Sequence, residues 1–368
     1  MKRQPEDIAA HAAIDLLRSL IAGDTITLTT VQWAGVLPLL RQHRLSAFVY
    51  AKLRRSSLWP DLPAAVRHEL GEDFQQITIR AYRMEDELAR VVQALAVAGI
   101  PVLLLKGAAL GRTVYGSPAE RPVSDFDLLV PRSAMQAACL ALQARGYQAA
   151  GLYWLGQWQQ RYRAELPLLH YEEDGLRLLV ELHWSLLEAP FYMDHIPAAA
   201  VWQGAQPAAG LPGARLPAAA TLLIHACAHL ALHHRADQGW FWLLDIDRLA
   251  RWPLLDWSQV MEQAERWRLD VAVAMVVQQT VTLLATPLPI AVQQWLAKPR
   301  YDRAQLDLLQ IGPQQQGRTW RKMRHTWQYS NWQQRVRYTA WLAVRGALWL
   351  PEQLQRQQLL QGERPLAG

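Results

Sequence analysis

The pattern of apolar and polar positions divides the chain into a helical first part, a mixed middle part and a helical last part. Residues 1 to about 99 carry apolar positions at helical spacing, and Glu72 to Ala98 runs without proline or glycine. Gly99, Ile100 and Pro101 then mark the end of a helix and the start of an extended segment. The sequence therefore predicts an N-terminal helical segment over residues 1–99.

The middle part alternates short apolar strands with short helices. The pattern predicts strands at 102–105 and 125–130, and helices at 108–115 and 134–144. Two further strands, at 166–171 and 176–184, are joined by the turn at 172–175, which ends in glycine. These elements predict a compact α/β core with a small mixed sheet over residues 100–208.

The last part reads as helix throughout, from residue 217 onward. The predicted helices lie at 217–234, 239–251, 256–267, 270–285, 302–310, 318–329, 332–346 and 351–361, with prolines between several of them. Residues 204–213 are rich in glycine, proline and alanine, which favours a hinge before this all-helical domain at 209–368. The expected fold class is α+β.

Composition limits the function classes without choosing one. The 368 residues carry a net charge of +6, which suits an anionic ligand but is too dilute to indicate nucleic-acid binding. The two cysteines exclude a disulfide framework and favour the reducing cytosol. The longest apolar stretch, residues 271–292, contains glutamines and prolines, so we expect a buried helix and no membrane span.

Asp125 and Asp127 are the first candidates for chemistry. Alternation along a strand places residues i and i+2 on one face, so the two carboxylates project together. Two adjacent acids repel, and a shared divalent cation relieves the repulsion. The plainer interpretation is that Asp125 and Asp127 are two solvated acids at the start of a strand. Their position where a loop enters a buried strand, however, favours a metal site.

Glu181 is an acid in the middle of an apolar strand, on the same face as Arg177 and His183. An unpaired carboxylate there would be costly to bury. Arg177 could neutralise it, or Glu181 could lie beside Asp125 and Asp127 and complete a cluster of three acids.

Lys106 and Gly107 end the first strand and open a helix. The backbone N–H groups of a helix N-terminus bind phosphates, Gly107 allows close approach, and Lys106 adds a positive charge. Arg121, four residues before Asp125, is within reach of the same phosphates, although a surface arginine in a loop is the simpler interpretation.

His225, His229 and His233 recur every fourth residue and share one helix face. Core histidines are one interpretation; the other is that this face lines the cleft and helps to seat a nucleotide or an acceptor. Asp245 and Asp247 also form an Asp-x-Asp pair, but on a helix these positions point apart, so we discount a metal pair there. A hydrogen bond from the ring of one of these histidines to the Asp245 carboxylate is expected.

These motifs, in this order, resemble an uncharacterised bacterial nucleotidyltransferase family of the DNA polymerase beta-like superfamily. The resemblance extends to about residue 270 and rests on LLLKGAAL, VYGSPAERPVSDFDLLV, LVELHW, LLIHACAHL and WFWLLDIDRL. It implies that Asp125, Asp127 and Glu181 bind the metals and that the turn at Lys106 and Gly107 cradles a nucleoside triphosphate. It also supports ligand binding by His225 and His229.

One departure from the superfamily pattern concerns the turn after the first strand. Typical members have Gly-Ser there, with the paired acids about a dozen residues later, whereas this chain has Lys106, Gly107 and Ala108. The Gly-Ser at Gly116 and Ser117 follows a helix and lies too close to the acids. Gly107 is therefore taken as the equivalent position, without the serine hydroxyl.

The expected activity is Mg²⁺-dependent transfer of a nucleoside monophosphate from an NTP to a hydroxyl or similar acceptor, releasing pyrophosphate. Two Mg²⁺ ions, with Mn²⁺ as a substitute, are expected at the three acids, with Lys106, Gly107, Arg121, His183, His225 and His229 around the nucleotide. The alternatives are a catalytically silent nucleotide-binding or scaffold protein and a glycosyltransferase using Asp-x-Asp. The acceptor stays open between a small molecule, a peptide or protein, and RNA; the Arg- and Trp-rich C-terminal helices fit an anionic partner or ordinary amphipathic surfaces.

Overall fold

Seven short strands of the described residues form one mixed sheet. The computed structural model describes residues 5–24, 26–149, 164–187, 190–234, 239–311, 318–333, 335–336 and 339. The strands are β1 (Val102–Leu104), β2 (Phe126–Leu129), β3 (Gln148–Ala149), β4 (Glu165–Tyr171), β5 (Arg177–His183), β6 (Gln206–Pro207) and β7 (Ala214–Leu216). Their order is β3-β4-β5-β2-β1-β7-β6. The predicted mixed sheet and α+β class are confirmed.

The central strands carry the buried part of the sheet. β2 runs parallel to β5, and β1 runs parallel to β7, while the other neighbouring strands are antiparallel. Every side chain of β1 and β2 is buried. β5 alternates as its sequence predicts, with Leu178, Val180 and Leu182 buried on one face and Leu179 and Glu181 half-buried on the other.

Four helices precede the sheet: α1 (Pro5–Ala22), α2 (Thr30–Gln42), α3 (Ser46–Arg54) and α4 (Ala64–Val97). Thr29 and Gln32 form a capping box at the start of α2. α4 begins eight residues before the predicted Glu72, because Gly71 is tolerated inside it. Burial of Val66 and Leu70 beside Gly71 offsets the cost of about 1 kcal/mol for an interior glycine.

The two helices within the core lie close to their predicted positions. α5 (Lys106–Thr113) follows β1 directly, and α6 (Met135–Gln143) follows β2 after a short 3₁₀ turn at Arg132–Ala134. The hairpin of β4 and β5 turns at 172–175, where Gly175 adopts a φ of +83°. Asp127 on β2 and Glu181 on β5 lie beside Lys106, the first residue of α5.

The segment at 204–213, expected to be a hinge, belongs to the sheet instead. β6 and β7 form a hairpin there, and β7 pairs with β1. Gly213 has a φ of +93°, and a Cβ at this position would lie 2.8 Å from the Cβ of Ala96 in α4. Glycine at position 213 therefore allows the hairpin to pack closely on α4. A local pattern of turn residues looks the same in such a hairpin and in a linker, so the sequence did not distinguish them.

Helices fill the rest of the described chain. They are α7 (Pro190–His195), α8 (Ala198–Trp202), α9 (Ala219–His233), α10 (Trp240–Ala250), α11 (Trp257–Arg266), α12 (Asp270–Leu284), α13 (Ile290–Ala297), α14 (Arg303–Leu309) and α15 (Arg318–Tyr329). The sequence pattern missed α13, which is short and follows two prolines. The helices predicted at 332–346 and 351–361 lie wholly or mostly outside the described residues.

One hydrophobic cluster runs through all three predicted segments. It includes Leu40 of the N-terminal helices, Leu128 and Val180 of the sheet, and Leu223 and Val276 of the C-terminal helices. The boundaries near residues 99 and 208 therefore remain a prediction about domains, because the core is continuous across them. Within the described residues, no helix has both the length and the apolar character needed to cross a membrane.

Candidate active site

The register of two parallel strands brings the predicted acids together. Asp127 of β2 lies opposite Glu181 of β5, and Leu129 lies opposite His183. Single ligand atoms of Asp127, Glu181 and His183 all lie within 4.8 Å of one another. The expectation that Glu181 lies on a strand next to the aspartates is thus met in the geometry. Asp125, just before β2, lines the same cavity but is not one of these three.

Lys106 completes this group. Its Nζ lies 2.6 Å from Asp127 Oδ1 and 3.6 Å from Glu181 Oε2. On the other side of Asp127, His183 Nε2 lies 2.9 Å from the same Oδ1, and His183 Nδ1 lies 3.5 Å from Glu165 Oε2. Asp127 is therefore buried between two cationic groups, and Arg177 is not the partner of Glu181 among the described contacts.

The charges of this group shift its pKa values in opposite directions. Burial would raise the pKa of Asp127, but the charge of Lys106 and the hydrogen bond with His183 hold it well below its ordinary value. Burial would lower the pKa of His183, but hydrogen bonds with Asp127 and Glu181 raise it to about 9. Burial and repulsion from Asp127 and Glu181 raise the pKa of Asp125 to about 6. The cluster is a tightly paired set of opposite charges.

The turn between β1 and α5 positions the lysine. Lys106 has a φ of +44°, a left-handed conformation that costs a non-glycine residue roughly 1 to 3 kcal/mol. The N–H of Leu105 donates to the carbonyl of Asp127 at 2.9 Å, which fixes the turn against β2. A Cβ on Gly107 would lie 2.8 Å from Val123 Cγ1, so the loop before β2 packs directly on this glycine.

Arg121 pairs with Asp245, the residue that was expected to form a hydrogen bond with a histidine. Its Nε lies 2.7 Å from Asp245 Oδ1, and its Nη2 lies 2.8 Å from Oδ2. The hydroxyl of Tyr115 donates to the same Oδ1 at 2.7 Å. The guanidinium also lies 4.8 Å from the ring centre of Phe241. Asp245 thus ties α10 to the loop before β2 through Arg121 and Tyr115, and its expected hydrogen bond with a histidine stays a prediction.

The histidine face of α9 does line the cavity. Burial and the nearby charges of Lys106 and His183 lower the pKa of His225 to about 3, and the ring has a backbone hydrogen bond with Leu186. Its Nε2 is buried and has no partner among the described residues. His225 is therefore neutral, and Nε2 offers an unshared electron pair. Burial likewise lowers the pKa of His229 well below its usual range, and its Nε2 lies 2.9 Å from that of His234.

The cavity between the acids and the histidines has a volume of about 510 Å³. The cavity lining also includes polar and aromatic residues that were not predicted from the sequence. They are the cation Arg44 of the N-terminal segment, a fourth carboxylate at Glu165, another histidine at His234 and the ring of Trp242. Glu165 is the first residue of β4 and lies one position before the strand predicted at 166–171. Arg44 gives no sequence signal, because its left-handed φ of +58° and its position beside Phe241 arise only in the fold.

The donor set fits a divalent cation. Two carboxylates and an imidazole within 4.8 Å of one another are ligands that Mg²⁺, Mn²⁺ and transition metals accept. Carboxylates at Asp125 and Glu165 add negative charge to the same cavity. A cation at these ligands would have to share the space with the Lys106 ammonium.

Comparison with known proteins points to one family. A family model described as an uncharacterised nucleotidyltransferase matches residues 29–285, a range that contains every residue of the cavity. A solved structure described as an antigenic nucleotidyltransferase-like protein from Paracoccidioides brasiliensis is similar at 15% identity and a TM-score of 0.36. That similarity covers 57% of this chain and 95% of the other. None of the curated proteins compared with this chain matches it.

Proposed function

This chain belongs to the uncharacterised nucleotidyltransferase family, and from that membership we propose that it transfers a nucleoside monophosphate from an NTP to an acceptor. The observation that carries the proposal is the pairing of Asp127 with Glu181 across two parallel strands, beside the turn that opens α5. Paired acids next to a helix N-terminus suit a reaction in which a polyphosphate is bound and cleaved. We also propose membership of the DNA polymerase beta-like superfamily.

Asp125, Asp127 and Glu181 would hold the metal ions, with His183 orienting Asp127 through their 2.9 Å hydrogen bond. Two Mg²⁺ or Mn²⁺ ions would supply positive charge to the triphosphate and lower the pKa of the attacking hydroxyl. Burial and repulsion from Asp127 raise the pKa of Asp125 to about 6, so before any cation binds it loses its charge progressively as the pH falls through that value. The metal site should therefore weaken below pH 6.

In this proposal, Glu181 takes the proton from the acceptor. In the proposed step, the acceptor oxygen forms a bond to the α-phosphorus, the bond from that phosphorus to the bridging oxygen breaks, and pyrophosphate leaves. The proton of the acceptor hydroxyl passes to the Glu181 carboxylate. The half-buried position of Glu181 at the edge of the cavity leaves its oxygens accessible for this role.

The remaining cavity residues would bind the nucleotide and the acceptor. Lys106 and the N–H groups after Gly107 suit the triphosphate. His225 Nε2, which has no described partner, accepts a hydrogen bond from a hydroxyl or amino group of either substrate, and His229 lies on the same face. Arg121 keeps its predicted role near a phosphate only if that phosphate shares the guanidinium with Asp245. We leave the identity of the acceptor open. The two buried free cysteines favour a cytosolic location for the protein.

The test is a screen of the four NTPs with Mg²⁺ or Mn²⁺, followed by mass spectrometry of the protein and of candidate acceptors for an added nucleoside monophosphate. Glu181→Gln should abolish pyrophosphate release while the far-UV circular dichroism spectrum stays unchanged. Glu173→Gln, an exposed acid in the turn of the same hairpin, is the matched control and should keep full activity. Equal turnover by Glu181→Gln and the control would refute the assignment.

A silent nucleotide-binding protein is the second candidate, because Lys106 and His183 together already neutralise Asp127 and Glu181. It predicts NTP binding in calorimetry without pyrophosphate release under any metal or acceptor condition. No feature of the described structure favours the glycosyltransferase alternative.

A further inference from the structure

The Lys106 ammonium lies where a divalent cation shared by the acids would lie. Its Nζ contacts Asp127 Oδ1 at 2.6 Å and Glu181 Oε2 at 3.6 Å. These carboxylates are two of the three groups whose ligand atoms fall within 4.8 Å of one another. Positive charges only a few ångströms apart repel strongly away from bulk water. A cation and this ammonium therefore cannot both occupy the space between the two acids at low cost.

The surroundings of Lys106 give its ammonium a second location. Lys106 is the first residue of α5, so its own backbone stands at the helix N-terminus where phosphates are attracted. The lysine side chain is a flexible four-carbon stem with a compact charge, and about 21% of it is exposed. Because Lys106 also lines the cavity, rotation about the bonds of its stem would carry Nζ from the acids towards the cavity.

We propose that Lys106 acts as an internal counter-ion that occupies the cation site until a triphosphate binds. The ammonium then moves to the phosphate oxygens as the divalent cation takes its place at Asp127 and Glu181. This inference rests on the proposed function, since it takes a triphosphate as the ligand. It assigns to Lys106 a positioning role that phosphate binding alone does not include.

The charges of the cavity explain why the exchange needs both ligands. Four carboxylates line it near the lysine, and they surround an ammonium that burial would otherwise disfavour (Asp125, Asp127, Glu165, Glu181). Metal binding alone leaves the displaced ammonium without its anions. Triphosphate binding alone brings further negative charge next to these acids. Each ligand supplies what the other lacks, so their binding should be positively coupled, and by linkage the coupling is reciprocal.

The first test measures metal binding without nucleotide. Lys106→Met removes the ammonium and keeps most of the aliphatic stem, while Lys298→Met removes an equal charge from an exposed position outside the cavity. Mn²⁺ titrations followed by electron paramagnetic resonance should show at least about tenfold tighter Mn²⁺ binding for Lys106→Met than for the wild-type protein. Lys298→Met should match the wild type.

The second test measures the phosphate side with inorganic tripolyphosphate, which needs no choice of base. In calorimetry at a fixed Mn²⁺ concentration, Lys106→Met should bind tripolyphosphate at least about tenfold more weakly than the wild type. The same substitution therefore moves the two affinities in opposite directions. A lysine that only binds phosphate would lower the second affinity and leave the first unchanged.

The outcomes separate this inference from the proposed function. Equal Mn²⁺ affinity for Lys106→Met and wild type overturns the counter-ion role and leaves the transferase intact. Failure of wild type and variants to bind Mn²⁺, with or without tripolyphosphate, overturns the metal-dependent function as well. If Lys106→Met does not fold without metal, Lys106→Gln is used, and Mn²⁺ should raise its melting temperature more than that of the wild type. An equal rise also overturns the inference.

Discussion

The buried ion pair of Arg121 and Asp245 gives a quantitative test of what holds this cavity together. The two side chains are only 10% and 3% exposed, and three hydrogen bonds of 2.7, 3.0 and 2.8 Å join them. Asp245→Asn keeps the size of the side chain and an oxygen that can accept from Tyr115. It removes the negative charge and leaves the guanidinium of Arg121 buried without a counter-ion.

The size of the effect follows from desolvation. Breaking a buried pair by removing one partner costs about 3 to 5 kcal/mol, because the remaining charge is uncompensated. Arg121→Met should cost a similar amount, since Asp245 then loses all three hydrogen bonds from the guanidinium. The double variant contains neither charge, so its cost should not exceed that of either single variant. The coupling energy of the cycle should therefore be at least about 3 kcal/mol.

The assay is urea unfolding of the four proteins, followed by tryptophan fluorescence at constant pH and salt. Arg266→Met is the matched control, because Arg266 pairs with Glu262 on the surface, where the side chains are 62% and 70% exposed. That exposed pair should contribute no more than about 1 kcal/mol. A coupling energy near zero between Arg121 and Asp245, or a loss no larger than that of the control, would refute the reasoning.

Three further predictions use the same unfolding assay. Asp127→Asn should destabilise the protein by about 3 to 5 kcal/mol, because it leaves two buried cationic groups without their shared carboxylate. The loss of activity expected for this variant is therefore not evidence of a catalytic role by itself. An Asp127→Asn variant as stable as the wild type would contradict the pairing. His225 has a pKa of about 3 in the folded protein and about 6.5 when unfolded, so the unfolded state binds more protons between these values. Stability should therefore fall as the pH drops below 6.5, by about 1.4 kcal/mol per pH unit from this group, and His225→Gln should lack that component; parallel pH curves would count against a buried neutral ring. Gly107→Ala should lower the free energy of unfolding by about 1 to 3 kcal/mol, because the new Cβ would lie 2.8 Å from Val123. Gly111→Ala in the same helix is the control: its Cβ meets the nearest neighbour at 3.8 Å, and the variant should gain up to about 1 kcal/mol of stability. Equal effects of the two substitutions would disprove the tight contact at Gly107.

The local patterns of the chain were enough to place most elements and the paired acids. Period-two alternation located β5 and put Glu181 on one face with His183, and the glycine turn identified the hairpin before it. The fourth carboxylate, Glu165, was not found because it lies one residue before the strand predicted at 166–171. These features depend on neighbours within a few residues, which is the range over which a sequence pattern carries structural information.

The sequence did not indicate which charged side chains pair with each other in the fold. Arg121 was expected near a phosphate and Asp245 near a histidine, yet the fold pairs them across 124 positions. Lys106 was predicted at a phosphate site, and the fold places its ammonium on Asp127 and Glu181. A charged side chain gives no local sign of which opposite charge it will meet, because that depends on how distant elements pack.

The sequence alone determined the α+β class, four of the seven strands (β1, β2, β4 and β5), the family resemblance and the acids on which the proposed chemistry depends. Only the tertiary structure decided that residues 204–213 close the edge of the sheet, that Arg44 reaches the cavity, and that His225 is neutral with an open Nε2. The physical reason is one of range. Periodicity and turn preferences act between near neighbours, whereas burial, charge pairing and strand order are set by contacts between segments far apart in the chain.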